Sequence, residues 1–181
     1  MTRLTATFAT AVFVMVIPGT VVGLVPWWIS RWRMSAPLLG FGGFRAIGGF
    51  CIICGTPVLL DSFARFALRG LGTPAPILPT EHLVTTGLYR YVRNPMYVAV
   101  SLLIFGQGLL LGSEDVLVYG LFVCAAFGFF VWLYEEPTLR KSFGKEYDEF
   151  CANVPRWIPR LTPWKGSPLR IHGKAGRMSR G

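Results

Sequence analysis

The residues best suited to chemistry lie in two short polar clusters. The first runs from Tyr89 to Tyr97 and holds two arginines, an asparagine and three tyrosines, and the second is the pair Glu135 and Glu136. Arginines and carboxylates side by side could bind a ligand that carries both a carboxylate and an ammonium group. The stretch between the clusters is charged only at Glu114 and Asp115. Positioning the clusters is therefore a question of how apolar segments fold.

Composition places these clusters in a membrane protein. The chain is 52% hydrophobic and only 15% charged, whereas soluble domains carry about 25% charged residues. Four apolar segments, near residues 5–30, 35–60, 95–112 and 116–134, reach the roughly 20 residues that cross a bilayer core. They lack the alternation of barrel strands. We therefore predict an all-α polytopic membrane protein with about four transmembrane helices.

The distribution of basic residues predicts the orientation of those helices. With four spans and an inner N-terminus, 15 of the 18 Lys and Arg residues lie on the cytoplasmic side, which is the bias of membrane proteins. We expect both termini to be cytoplasmic, in the inner or plasma membrane of the cell, with both polar clusters on that face. The net charge of +9 is then interpreted as orientation and contact with anionic lipid, and not as nucleic-acid binding.

The remaining segments predict what surrounds the clusters. Residues 61–94 form a cytoplasmic loop long enough to be functional, and the short turn after residue 112 forces an antiparallel hairpin. Four apolar residues at helical spacing predict an interfacial amphipathic helix over 136–151; they are Leu139, Phe143, Tyr147 and Phe150. We predict one domain over residues 1–164 and a disordered basic tail over 165–181.

Three features of the second span allow a structural or a functional interpretation. Arg45 either contacts a substrate or a partner carboxylate, or only extends toward the interface. Cys51 and Cys54 form a CxxC pattern with no further ligands near, which favours packing, so no metal site is predicted. The spacing of Gly42 and Ala46 predicts close approach of another helix.

The cytoplasmic end of the hairpin gathers eight polar residues: His82, Tyr89, Arg90, Arg93, Asn94, Tyr97, Glu135 and Glu136. These residues could form a ligand site. They could equally form an ion-pair network that only orients the hairpin, with the tyrosines as interface anchors. The residue types alone leave both interpretations open.

Four segments resemble the isoprenylcysteine carboxyl methyltransferases and the related phospholipid N-methyltransferases: residues 82–97, 135–136, 143–147 and 154–156. Members of this superfamily are integral membrane enzymes that use S-adenosylmethionine, so the resemblance implies that cofactor. It implies cofactor binding by Glu81, His82, Leu83, Val84, Tyr89, Asn94, Pro95, Met96, Tyr97 and Glu135. We assign catalytic roles to Arg90, Arg93, Asn94, Tyr97 and Glu136.

The sequence departs from the family pattern at two positions. Asn94 stands where the family has a histidine, so it can hydrogen-bond but offers no proton-accepting ring. Val131, with Trp132 beside it, stands where the prenylcysteine enzymes carry an arginine that recognises the substrate carboxylate. Arg45, Arg90 or Arg93 would have to take that role. Arg45 and Trp132 are therefore candidate substrate residues.

Together these features predict in-line transfer of a methyl group from sulfur to an oxygen or nitrogen of a hydrophobic or lipidated acceptor that enters from the bilayer. Prenylated thioether, phospholipid amine and quinone-like phenol all remain open as acceptors, as does the oligomeric state. One alternative is an NADPH-dependent membrane reductase of related architecture, although two adjacent glutamates would repel its phosphates. Another is a non-catalytic membrane scaffold.

Overall fold

The computed structural model describes residues 16–65, 83 and 85–166. Within them every regular element is helical and no strand occurs, which confirms the predicted all-helical class for this part of the chain. The principal helices are α1 (Val16–Ser30), α2 (Gly43–Arg65), α3 (Pro95–Leu111), α4 (Glu114–Phe143) and α5 (Lys145–Asn153). Two 3-10 turns, Leu38–Gly40 and Gly87–Arg90, precede α2 and α3.

Two of these helices, α2 and α4, are long and apolar enough to cross a membrane. They coincide with the predicted spans near 35–60 and 116–134. Helices α1 and α3 are also apolar but shorter, and residues 1–15 of the first predicted span lie outside the described residues. The count of four spans therefore stays a prediction.

Helices α2 and α3 pack closely because glycines line their contact. A side-chain carbon added at Gly48 would lie 2.5 Å from the backbone nitrogen of Leu110 and 2.6 Å from the carbonyl oxygen of Gly106. One added at Gly106 would meet the Gly48 carbonyl oxygen at 2.9 Å. Small residues that let helix backbones approach are the usual device of membrane bundles. The predicted contact at Gly42 is not the one used, since nothing lies within 4 Å of a side-chain carbon built there.

The turn between α3 and α4 has the expected local chemistry. Gly112 ends α3 in the left-handed region at φ 70°, which glycine adopts without a steric cost. The hydroxyl of Ser113 caps α4 by accepting a hydrogen bond from Val116 N at 3.4 Å. The hairpin buries Ile104 and Val116 completely. The end of α3 that carries Tyr97 thereby meets the later part of α4.

The segment predicted as one amphipathic helix over 136–151 is two helices. Gly144 separates them with φ 53° and ψ −125°, a conformation outside the helical region. The predicted apolar face packs against protein: Tyr147, Phe150 and Val154 are buried together. Leu139 and Phe143 pack against this cluster, as do Leu83 and Trp164.

Residues 154–164, here called the strap, return across the start of α3. Three backbone hydrogen bonds attach them: Arg93 N to Pro155 O at 2.9 Å, Arg160 N to Tyr91 O at 3.0 Å and Trp164 N to Arg90 O at 2.9 Å. The strap closes the end of the α3–α4 hairpin at which both polar clusters lie. Residues 66–82 and 84 of the predicted loop, and residues 167–181 of the predicted tail, lie outside the described residues.

Candidate functional site

The centre of the site is a hydrogen bond between the two polar clusters. The hydroxyl of Tyr97, in the first turn of α3, donates to Glu135 Oε2 at 2.8 Å. The Tyr97 ring packs on Phe127 with centroids 4.6 Å apart, and Trp157 of the strap approaches to 6.4 Å. The Tyr97–Glu135 pair, with two further aromatic rings beside that of Tyr97, is thus assembled from α3, α4 and the strap.

A local irregularity of α4 presents the two glutamates. Residues Val131–Glu135 form a π-helical turn between two α-helical stretches. Such turns are rare in helices and frequent at functional sites. Successive residues of a helix point in directions about 100° apart, so Glu135 and Glu136 serve different partners. Val131, at the position of the missing arginine, is 1% exposed.

Glu136 is held by two arginines. Arg156 donates from Nε to Oε1 at 2.7 Å and from Nη2 to Oε2 at 2.8 Å, and Arg93 Nη1 donates to Oε1 at 3.1 Å. The Glu136 side chain is only 9% exposed. A buried carboxylate is tolerated when cations and hydrogen bonds compensate its lost hydration. Glu136 therefore ties α4 to the start of α3 and to the strap.

The neighbouring polar side chains also bind protein groups. Arg90 Nε donates to the Trp164 carbonyl at 2.6 Å, and Arg93 Nη1 donates to Cys151 Sγ at 2.8 Å. Asn94 Nδ2 donates to the Arg156 carbonyl at 3.2 Å. The cations predicted to be catalytic thus stabilise the frame around the Tyr97–Glu135 pair.

The C-terminal end of α2 contacts the turn that carries Tyr89. Tyr89 is 7% exposed, and burial raises the pKa of its phenol well above the ordinary range, with a smaller opposing effect from its hydrogen bond to Ser62. Arg65 pairs with Asp61, Nε to Oδ2, at 2.7 Å and donates from Nη1 to Thr86 Oγ1 at 3.4 Å. Tyr89 therefore remains a neutral phenol at physiological pH.

The other predicted site residues differ in their surroundings. Leu83 joins the Tyr147 cluster, Pro95 is buried and Met96 packs against the bundle core. Trp132 is 60% exposed. Glu81, His82 and Val84 lie outside the described residues.

Arg45 lies at the opposite end of the bundle from Glu135. Its Nη2 donates to the Ser35 carbonyl at 2.6 Å, and Ser35 N in turn donates to the carbonyl of Leu111, the last residue of α3. Tyr97 and Leu111 are separated by about 20 Å along α3 at the helical rise of 1.5 Å per residue. The structure does not bring Arg45 to the site.

A largely apolar pocket of about 380 Å³ lies next to Tyr97, because Phe127 and Trp157, which lie near the Tyr97 ring, belong to its lining. Its lining includes Val98, Ser101, Cys124, Phe127, Gly128 and Trp157. Ser101 and Cys124 hydrogen-bond to each other at 3.2 Å, and Ser101 Oγ donates to the Tyr97 carbonyl. The polar side chains of Ser101 and Cys124 thus bind protein groups, and the mainly apolar lining suits an apolar ligand.

Several of these residues were not among the predicted site residues. Arg156 lies in a segment that carries the family resemblance, which was the available signal. No local pattern marks Trp157, Ser62, Asp61 or Arg65, because their roles depend on which segments meet. Among the described residues no three His, Cys, Asp or Glu side chains lie close enough to hold a metal ion.

Comparison with known proteins assigns the region around these residues to a family. The family model described as phospholipid methyltransferase matches residues 44–146. Protein-S-isoprenylcysteine O-methyltransferase of Schizosaccharomyces pombe is 36% identical over 78 residues, which cover 42% of this chain and 33% of that protein. Protein-S-isoprenylcysteine O-methyltransferase B of Arabidopsis thaliana is 28% identical over 142 residues, covering 74% of this chain. The chain spans 60% of the latter relative's length.

The matched region contains all of α2 except its first residue, all of α3 and α4, and both polar clusters, and therefore the whole Tyr97–Glu135 centre. It extends over more than half of the chain. The chain belongs to the phospholipid methyltransferase family.

Proposed function

We propose that this protein is a membrane methyltransferase that takes a methyl group from S-adenosylmethionine and transfers it to an oxygen or nitrogen of a hydrophobic or lipid-like acceptor. The observation that carries the proposal is the Tyr97–Glu135 hydrogen bond beside an apolar pocket. The family match supports the methyl-transfer chemistry. The names of the two relatives favour an oxygen nucleophile.

The residues around Glu135 fit a cationic cofactor. Tyr97 occupies Oε2, while Oε1 accepts no hydrogen bond within the described part of the chain. An ionised carboxylate attracts the ammonium group of a ligand, and the rings of Tyr97 and Trp157 attract cations over their faces. S-adenosylmethionine supplies an electrophilic methyl group on a sulfonium together with such an ammonium. Glu135 and Tyr97 would bind and orient it.

The frame residues have a different role in this proposal. Arg93 binds Glu136 and so holds the start of α3 against α4, and Arg90 binds the Trp164 carbonyl and so holds the same end against the strap. Asn94 belongs to the frame because its side chain binds the strap. Because it lies three residues before Tyr97, we also keep it as a candidate cofactor-binding residue. Methyl transfer needs alignment and exclusion of water more than acid–base chemistry, and a rigid frame provides both.

The apolar pocket supports a hydrophobic acceptor. At about 380 Å³ it falls within the range of small-molecule sites. Trp157 and Val98 connect it with Tyr97. The acceptor would reach the site from the bilayer and the cofactor from the cytoplasm. In this proposal the protein crosses the membrane several times, and both of its termini lie on the cytoplasmic side.

Binding of the cofactor product tests this proposal directly. The purified protein in detergent should bind S-adenosylhomocysteine by isothermal titration calorimetry, and Glu135→Gln should weaken that binding by about tenfold or more, because a charge-assisted hydrogen bond contributes about 1.5–3 kcal/mol. Glu149→Gln is the matched control, since Glu149 is an exposed glutamate of α5. Undiminished affinity in Glu135→Gln would remove Glu135 from the cofactor site.

A second measurement separates the proposal from its alternatives. S-adenosylhomocysteine should raise the melting temperature of the protein and NADPH should not. Incubating membranes that contain the protein with radiolabelled S-adenosylmethionine should then yield a labelled lipid-soluble product. Stabilisation by NADPH alone would favour a reductase, and stabilisation by neither ligand would favour a scaffold.

A further inference from the structure

Gly128 lines the apolar pocket on the α4 side. Along the antiparallel hairpin Phe127 packs against Tyr97, whereas Cys124 contacts Ser101, one turn farther from that pair. Gly128 is therefore level with Tyr97, and Ser101 and Cys124 line the end of the pocket that is farther from Tyr97, called its deeper part below. About 10 Å of helix separates Gly128 from Glu135 at 1.5 Å per residue.

The missing side chain of Gly128 leaves space. A carbon built at its Cβ position has nothing within 4 Å, so close helix packing does not require this glycine. Gly48, Gly106 and Gly108 differ, because a carbon at each of them would meet a neighbouring helix within 3 Å. Glycine inside a helix lowers the stability of that helix relative to alanine. A glycine that lines a pocket without being needed for helix packing leaves room for a bound ligand.

We propose that Gly128 is a specificity-determining residue, which keeps open the end of the pocket nearest Tyr97 so that a single apolar chain of the acceptor can enter. This inference rests on the proposed function for the identity of the guest as acceptor. The chain lies between α3 and α4 and under Trp157, with its reacting end toward Glu135. Ser101 and Cys124 satisfy each other and leave the deeper part apolar.

The size of the side chain at position 128 should accordingly determine which alkyl-chain lengths the protein accepts in its acceptor. Each buried methylene adds about fourfold to affinity. A leucine at position 128 would fill the end of the pocket nearest Tyr97. It would thereby exclude the alkyl chain of the acceptor from the part lined by Ser101 and Cys124. A leucine at position 124 would fill only the deeper end, so it should penalise long chains but spare those of intermediate length.

Photo-crosslinking tests the location of the chain without relying on turnover. The probes are S-alkyl cysteines from butyl to hexadecyl, the long ones with a terminal diazirine, added to the full-length protein in detergent. We expect crosslinks in the peptides that contain Ser101 and Cys124, and their loss in Gly128→Leu. Gly49→Leu is the control, because a carbon at Gly49 also has nothing within 4 Å but lies on α2, away from the pocket.

Kinetics give the second measurement. In Gly128→Leu the ratio of kcat/KM for hexadecyl over butyl cysteine should fall at least about tenfold, from the loss of two or more methylene contacts. It should stay within about twofold in Gly49→Leu, and Cys124→Leu should give a smaller, chain-length-dependent fall. Cys124→Leu also carries the test if Gly128→Leu fails to fold.

The outcomes separate the inference from the proposed function. Crosslinks in the pocket without any methyl transfer would leave the pocket assignment standing and reject the methyltransferase proposal for these acceptors. Methyl transfer with crosslinks elsewhere, or with an unchanged chain-length ratio in Gly128→Leu, would overturn the role of Gly128 and leave the methyltransferase proposal intact.

Discussion

Arg156 and Glu136 form a two-point ion pair, with Nε–Oε1 at 2.7 Å and Nη2–Oε2 at 2.8 Å. The pair joins the strap to α4 at the level of the Tyr97–Glu135 hydrogen bond. Because Trp157 follows Arg156 directly, the same contact positions the ring that lies near Tyr97 and lines the apolar pocket. The ion pair that holds the strap in place therefore also fixes one side of the candidate ligand site.

Loss of this ion pair should destabilise the protein. Arg156→Ala leaves the buried Glu136 with Arg93 alone, which we expect to cost about 3 kcal/mol and to lower the melting temperature by about 6–12 °C. The matched control is Arg140→Ala, because the Arg140–Asp148 pair has the same 2.7 Å distance but side chains 54% and 55% exposed. An exposed pair is screened by water and contributes little to stability, so Arg140→Ala should lower the melting temperature much less than Arg156→Ala. Equal melting temperatures for the two variants would contradict the structural role of Arg156.

The hydroxyl of Tyr97 should matter for ligand binding more than for folding. Tyr97→Phe keeps the ring that packs on Phe127 but removes the hydrogen bond to Glu135. We expect affinity for S-adenosylhomocysteine to fall about tenfold, in line with a hydrogen bond to a charged group. In a double-mutant cycle with Glu135→Gln, the coupling energy should reach about 1 kcal/mol, as for residues in direct contact. Strictly additive losses would show that the two side chains act independently.

The close packing of α2 on α3 should not tolerate a methyl group. Gly48→Ala places a carbon against the backbone of Leu110 and Gly106, so the helices must separate, which we expect to cost about 1–3 kcal/mol. Gly49→Ala adds the same carbon in open space and should be neutral or slightly stabilising. Thermal melts of the two variants in one detergent make the comparison. A neutral Gly48→Ala would mean that α2 and α3 can shift at no cost.

Gly87 should be required for the position of Arg65. Its φ is +61°, and a side-chain carbon there would overlap the Arg65 guanidinium, which pairs with Asp61 and contacts Thr86. Gly40→Ala introduces a comparable strain of about 1–2 kcal/mol, at φ +71° and with open space around it. Gly87→Ala should therefore lose more stability than Gly40→Ala and also weaken S-adenosylhomocysteine binding, through displacement of the turn that carries Tyr89. Equal effects of the two substitutions would reduce the role of Gly87 to backbone conformation alone.

The sequence by itself determined the features that depend on neighbouring residues. Low charge and long apolar runs indicated membrane helices, and the short turn at Gly112 and Ser113 required an antiparallel hairpin that brings Tyr97 to Glu135. These features follow from helical length and hydrophobic transfer, which are local properties. The family resemblance was readable in the same way, because its motifs are contiguous.

Tertiary structure decided which residue does what. Glu135 and Glu136 are adjacent and chemically identical, so only the direction in which each points separates the carboxylate bound by Tyr97 from the one bound by Arg93 and Arg156. The role of Arg156 depends on the strap returning across α3, and the difference between Gly48 and Gly128 depends on which helix faces each of them. Contacts between distant segments are set by packing in three dimensions, which residue spacing does not encode.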